Sequence, residues 1–514
     1  MSVPLDPRTP VLVGVGQCSE RLDDPGYRAM SAVEVAAEAS RAALQDCGAD
    51  VGTVSARIDT VAGVRQFEIS TPAAEAPLGR STNYPRSVAQ RLNANPADAI
   101  LEVTGGQSPQ HLVNEMAAAI ARGEREVVLL FGSEAISTVR HMMTAAERPD
   151  FSETVDGQLT DRGFGLEGMG GSIYRRHGLV DAPTQYGLLE NARRTRLGLK
   201  RDEYRCQMAE LFAPFTQVAA ANPYAASPVT RTVDELAEVT TTNRMIADPY
   251  PRLMVSRDQV NQGAALLLTS VGSATELGVP RDRWVFLHGQ ADLRERNLLD
   301  RHDLSQAPSA VWATREALAV AQIGLDDVAT FDLYSCFPIA VSNVCDGLGL
   351  APNDARGLTL TGGLPYFGGA GNNYSMHAIA ETVRALRNSP GDYGLVGANG
   401  GILSKYSVGV YSTIPREWQS DRSDLRQHEL DGEPAVDVTK APEGEGRIET
   451  YTVRHGRSGP VGIVVGRLSA DDTRFVANPA ADDTDLVELL LHGEPVGAHI
   501  TTRPTESRNE ATLR

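Results

Sequence analysis

Apolar residues recur at helical spacing in 33–47 (VEVAAEASRAALQDC) and again in 313–323 (ATREALAVAQI). Each run leads into a short stretch with strand character, 58–61 (IDTV) and 326–333 (DDVATFDL). A glycine turn and a second helix pattern follow in both places, 105–121 and 362–386. Each half then offers an apolar strand ending in glycine, 127–132 (VVLLFG) and 393–397 (YGLVG). Helices alternating with short apolar strands predict βαβ units around mainly parallel sheets. Two halves in the same order predict a duplicated α/β fold, with its core in 1–136 and 255–415.

Between the halves, 137–254 has charged helical runs and Asn/Pro turns, and is expected as an insertion lying over the body. Strand character resumes at 260–270 (VNQGAALLLTS). Beyond 415 the pattern changes. The stretch 416–446 is polar and acidic and predicts a linker. Alternation in 447–454 (RIETYTVR), 461–468 (VGIVVGRL), 473–477, 486–491 and 496–501 predicts strands of a small antiparallel β-barrel over 447–502. The remainder, 503–514, is expected to be a disordered tail.

Composition narrows the classes. A net charge of −18 over 514 residues disfavours nucleic acid and anionic membranes as partners. No run has the length of a membrane span and no opening run resembles a signal peptide, so a cytoplasmic protein is expected. The five cysteines form no CxxC pair and no metal-ligand spacing, which predicts reduced thiols, no metal and no covalently bound cofactor.

Candidate chemistry centres on 361–381 (TGGLPYFGGAGNNYSMHAIAE), where a glycine-rich turn opens into a helix and brings backbone amides close to a bound group. Three further stretches complete a set: 103–110 (VTGGQSPQ), 332–338 (DLYSCFP) and 398–401 (ANGG). Together they resemble the four active-site loops of the thiolase superfamily, in its sterol-carrier-protein type. The likeness covers roughly 8–415 and includes 222–270 (NPYAASPVTRTVDEL…VNQGAALLLTS), with Gln262 at that group's usual aspartate. It is nearest to the thiolase-like type 1 proteins of actinobacteria, which carry an additional C-terminal β domain.

The resemblance implies a layered αβαβα body and assigns positions. The nucleophilic cysteine of Cys-x-Ser falls at Gly106, with Ser108 as the motif's serine. The oxyanion-hole histidine falls at Tyr334, with Ser335 at the neighbouring aspartate and Cys336 at a cysteine that is not the nucleophile. The histidine of Gly-His-Pro falls at Gly369, between Gly368 and Ala370. The acid/base cysteine falls at Ala398, or at Asn399 in a shifted register. Claisen chemistry needs a thiolate, a base and two sets of oxyanion donors, so no ordinary thiolase activity is expected.

The first expectation is therefore a thiolase-like protein of lipid metabolism that binds CoA, an acyl-CoA or a related acyl ligand, with Ser108, Gly368, Asn372, Asn373, Asn399 and Gly400 as binding candidates. Residual catalytic candidates are Tyr334, Tyr374, His377 and Cys336. Their bland counterparts are a helix-capping Ser108, a packed Cys336, a structural His377 and a solvated Lys405. A second expectation is a retro-aldol lyase of a steroid or lipid side-chain CoA ester using Tyr334 and Tyr374, with the β module as an attached OB-fold partner. A third is a structural subunit, monomeric or dimeric, that docks a protein partner through the C-terminal domain.

Overall fold

The computed structural model describes residues 5–166 and 170–514. Two sheets form the body. The first runs Pro10–Ser19, Asn261–Ser270, Val127–Ala135, Thr60–Gly63, Asp98–Leu101, Thr160–Asp161; the second runs Phe286–Arg294, Lys405–Ser412, Tyr393–Gly400, Val328–Leu333. The first four strands of one and all four of the other match in sequence rank and in direction: antiparallel, antiparallel, parallel. The duplication is therefore built into the topology. The sheets are mixed rather than mainly parallel, because in each half a late strand inserts antiparallel beside the first.

Helices Ser108–Ala121 and Tyr374–Asn388 lie between the sheets and touch strands of both, while Ala32–Asp46 and Pro308–Ala321 cover the outer faces. The layers thus alternate helix, sheet, helix, sheet, helix. Each outer helix presses an alanine-rich face onto glycines of its own half's first strand. A Cβ on Gly14 or Gly16 would run into the carbonyls of Ala43 and Ala39, and one on Gly289 into that of Ala317. Ser31 and Glu34 close a capping box at the start of the first of these helices, satisfying its leading amides.

The C-terminal region departs from expectation in four places. Within 416–446 the chain forms helix Ser423–Asp431. The run 486–491 is not a strand but part of helix Thr484–His492: Asp483 caps Leu486 N–H at 2.9 Å, and Leu486 and Leu490, four residues apart, are the buried pair. A leucine run this short fits either period, and the cap decides. The expected disordered tail instead supplies strand Asn509–Leu513, pinned where Asn509 N–H donates to His177 Nε2 at 2.9 Å. With it, strands Gly444–Gly456, Gly459–Leu468, Arg474–Pro479, Asn509–Leu513 and His499–Pro504 close into a five-stranded barrel that runs past the expected 447–502 and is not wholly antiparallel, because Asn509–Leu513 closes the ring parallel to Arg474–Pro479.

The insertion does more than cover the body, since it also seats the barrel. Helix Ala182–Arg196 packs on strand Gly444–Gly456, with Thr450 Oγ1 donating to Leu188 O at 2.6 Å and Asn191 Nδ2 to Tyr451 O at 3.0 Å. On the other side, fully buried Arg474 is paired with Glu449 and donates to the carbonyls of Leu299 (2.6 Å) and Arg301 (2.5 Å) in the body. Among the described residues no helix is long and apolar enough to cross a membrane.

Gly289→Ala is expected to lower stability by about 1–3 kcal/mol, through overpacking against the Ala317 carbonyl. Gly52→Ala, on open helix surface, is expected to raise it by roughly 0.5–1 kcal/mol. Urea unfolding of both variants checks the pair, and equal effects would contradict the tight approach.

Candidate functional site

The four glycine-bearing loops meet at the N-terminal ends of the two central helices. Gly105 takes a left-handed φ of 147° just before helix Ser108–Ala121, which leaves Gly106 against the second half. A Cβ at Gly106 would overlap the Tyr334 hydroxyl and lie 2.5 Å from Tyr334 Cζ and 2.6 Å from the Asn399 carbonyl. The volume a nucleophile side chain would need is thus filled by a tyrosine. Gln107 fills the next gap, its Oε1 lying against both Gly105 and Gly400 and buried without a hydrogen-bond partner.

The third loop is buried at every position from 361 to 380. Gly369 donates its N–H to Arg257 O at 2.8 Å, and a Cβ there would lie 2.5 Å from Ser256 Oγ, so this position too has no open space. Gly368 packs on Gln262, whose amide donates to Tyr224 O (2.9 Å) and Phe367 O (2.8 Å). Asn372 Oδ1 accepts from Gly105 N–H at 3.0 Å and its amide donates to Arg65 O at 2.6 Å. Asn373 donates to Gly132 O at 2.7 Å, and Ser375 Oγ to Gly106 O at 2.6 Å. Asn372 and Asn373, proposed from sequence as ligand contacts, therefore bind backbone of the first half.

Asp332 is the hub of the second and third loops. It accepts from Thr359 Oγ1 (3.0 Å), Leu360 N–H (2.9 Å), Thr361 N–H (3.0 Å), Thr361 Oγ1 (2.9 Å) and the Tyr374 hydroxyl (3.1 Å). Tyr374 also sits 2.5 Å from Thr361 Oγ1. Its ring meets that of Tyr334 edge-on at 5.4 Å, so the structure does bring the two candidate tyrosines together. Neither is tuned for proton exchange. Burial pushes both phenols far above the ordinary tyrosine range, and for Tyr374 the Asp332 carboxylate adds to it.

The other candidates are equally quiet. Burial pushes the Cys336 thiol up to about 12, which keeps it neutral; the Asn399 amide lies 3.8 Å from its sulfur and 2.8 Å from the Tyr186 hydroxyl. His377 is fully buried, its Nδ1 2.6 Å from Gln17 Oε1, and burial lowers its pKa to about 3. Ala398 lies buried in strand Tyr393–Gly400. Two expectations are corrected. Ser108 does not cap its helix but donates to Val103 O at 2.9 Å, because Gln107 occupies the cap position. Lys405 is not solvated: half-buried, it donates to the Thr104 and Gly165 carbonyls. Sequence reasoning missed Asp332, Gln107 and Tyr186, whose ring stacks on Phe337 at 4.4 Å. The first two stood inside quoted motifs, but no local pattern announces a buried hub, and Tyr186 lies on an insertion helix far along the chain.

A duplicated five-layer body with glycine-led central helices defines a thiolase-fold protein, here with a closed five-stranded barrel behind it. Residues 425–507 match the family described as the thiolase-like protein type 1 additional C-terminal domain. The chain is similar to a monomeric SCP2-thiolase-like protein type 1 from Mycobacterium smegmatis, at 54% identity and TM-score 0.86, over 99% of this chain and 100% of that one. The chain belongs to the SCP2-thiolase-like protein type 1 family. More distant structures share the fold. An Ltp2–ChsH2(DUF35) aldolase aligns at 20% identity and TM-score 0.56, over 79% of this chain and 98% of that one. Human mitochondrial 3-ketoacyl-CoA thiolase aligns at 16% and 0.56, over 80% of this chain and all of that one. No curated protein sequence matches.

Gly106→Cys is expected to cost about 2–3 kcal/mol by overpacking on Tyr334. Combining it with Tyr334→Ala should recover about 1–2 kcal/mol relative to the sum of the single effects. Denaturant unfolding of the double-mutant cycle checks this, and simple additivity would contradict the contact. The buried imidazoles set a pH dependence. His377 protonates near 3 and His288, also lowered by burial, near 4, whereas unfolded histidine protonates near 6.5. Below about pH 6.5 these two histidines bind more protons in the unfolded chain, so their own contribution to stability is lost as pH drops. Thermal melts from pH 7 to 4 should therefore move less favourably with acidification in the wild type than in His377→Gln, and parallel pH profiles would contradict this.

Proposed function

We propose that this chain is a thiolase-fold protein without thiolytic chemistry, which binds an acyl-CoA or related acyl ligand. The observation that carries the first half is the Tyr334 hydroxyl standing in the space of a Gly106 side chain. With Gly369 closed by Ser256 and Ala398 buried in its strand, the positions the family uses for nucleophile, base and acid hold no group able to take their roles. The neutral states of Cys336, His377, Tyr334 and Tyr374 support the same reading, since none is poised to move a proton near pH 7. The acyl-ligand half rests on family membership and on the retained glycine-rich loops. As the loops are packed, an acyl group reaches their meeting point only when Tyr334 turns out of it.

A second reading, a retro-aldol lyase, draws on the edge-on contact of Tyr334 with Tyr374. The Asp332 and Thr361 bonds to the Tyr374 hydroxyl weigh against it, because they give that group a structural task.

The tests separate these readings. No thiolysis of acetoacetyl-CoA is expected from the wild type or from Tyr334→Ala. Calorimetry with acetyl-CoA and longer acyl-CoAs should show binding that tightens about tenfold in Tyr334→Ala, a gain of about 1.4 kcal/mol. Thiolytic turnover, or absence of binding to both proteins at millimolar ligand, would overturn the proposal. Tyr374→Phe is expected to lose about 0.5–1.5 kcal/mol of stability with no change in ligand binding.

A further inference from the structure

A cavity of about 650 Å³ lies outside the four loops, between helices Pro308–Ala321 and Pro338–Leu348, the segment 295–303 and the linker that leads to the barrel. This is the size of a small-molecule site. Its wall contains polar groups that the fold leaves uncommitted. Asn343 is 3% exposed, and neither its amide oxygen nor its amide nitrogen has a hydrogen-bond partner. Arg301 is also 3% exposed; its Nε donates to Arg296 O (3.0 Å) and its Nη2 to Ile402 O (2.6 Å), but its Nη1 has no partner. Buried polar atoms without partners are rare and call for a reason. Here two such side chains line one cavity.

Several of the charged groups at the rim are engaged elsewhere, among them Arg296, whose Nη2 donates to the carbonyls of Asp431 and Glu433 at 2.6 Å each. Arg196 pairs with Asp346 at 2.7 Å, Arg315 donates to Gly347 O at 2.8 Å, and the carboxylates of Asp303 and Glu295 accept the N–H groups of Ser305 (2.7 Å) and Ser309 (3.1 Å). Arg301 Nη1 thus remains as a donor awaiting an acceptor. Trp312, half-buried on the same wall, adds a flat apolar face.

We propose that this cavity binds a planar, amino-substituted nitrogen heteroaromatic that carries an acidic group, as a purine mononucleotide does. An asparagine amide presents an acceptor and a donor side by side, the complement of an amino group next to a ring nitrogen. Arg301 Nη1 takes the acidic group, and Trp312 stacks on the ring. The site is independent of the acyl-ligand reading, because no residue of the four loops lines it.

The probe is AMP added to the full chain, read by calorimetry and by tryptophan fluorescence. Binding with quenching is expected, at least about tenfold tighter than for adenosine, which lacks the acidic group, or ribose 5-phosphate, which lacks the ring. Trp312→Phe should abolish the quenching while calorimetry still reports binding, which places the ligand beside that ring. Asn343→Leu should weaken AMP binding at least about tenfold without lowering the melting temperature, since an apolar side chain removes two unpartnered polar atoms. No binding of millimolar AMP, unchanged quenching in Trp312→Phe, or wild-type affinity in Asn343→Leu would each overturn the assignment. Equal affinity for ribose 5-phosphate or for adenosine would overturn the ring or the acidic requirement, respectively.

Discussion

Two buried hydrogen bonds, from Ser375 Oγ to Gly106 O and from Gly105 N–H to Asn372 Oδ1, tie the start of one central helix to the loop before the other. Both central helices are sandwiched between the sheets, so any slip of one half on the other would break these bonds in a place water does not reach. An unmade buried hydrogen bond costs more than a made one contributes. The register of the halves and the position of Tyr334 against Gly106 follow from that constraint.

The same constraint explains how the loops hold their shape without nucleophilic or titratable side chains at Gly106, Gly369 and Ala398. Their geometry is set by glycines and backbone contacts, with Asp332 gathering the second and third loops through five donors. A side chain of catalytic type is not needed to hold such a scaffold. Once the space above Gly106 is empty, a ring from the second half can fill it and add buried apolar area. Packed in this way, the meeting point of the loops is part of the core.

Much of the body was legible because its signals are local and repeated. The helix period at 33–47 and 313–323 and the strands that follow name the duplication without reference to contacts. Sheet direction was less legible, because a strand's apolar run does not say which way it enters the sheet. In the barrel, 486–491 failed as a strand because six residues rich in leucine suit either period, and 503–514 failed as a tail because its partners, His177 and Asp483, are chosen by tertiary contact. At the site, residue identities were readable but roles were not. Asn372 and Asn373 look like ligand donors in a sequence and serve as internal ties in the structure. Whether a polar side chain faces a ligand or a backbone carbonyl depends on what packs over it.

Arg474 sets an order of events during synthesis. The Leu299 and Arg301 carbonyls that it satisfies leave the ribosome about 170 residues before it does. Until the barrel strand arrives, the body carries a wet seam where its own polar groups find only solvent. Strand Asn509–Leu513 is needed to close the ring that holds Arg474 in place. A molecule lacking that strand would thus carry its defect as an open seam on the body, far along the chain from the missing residues.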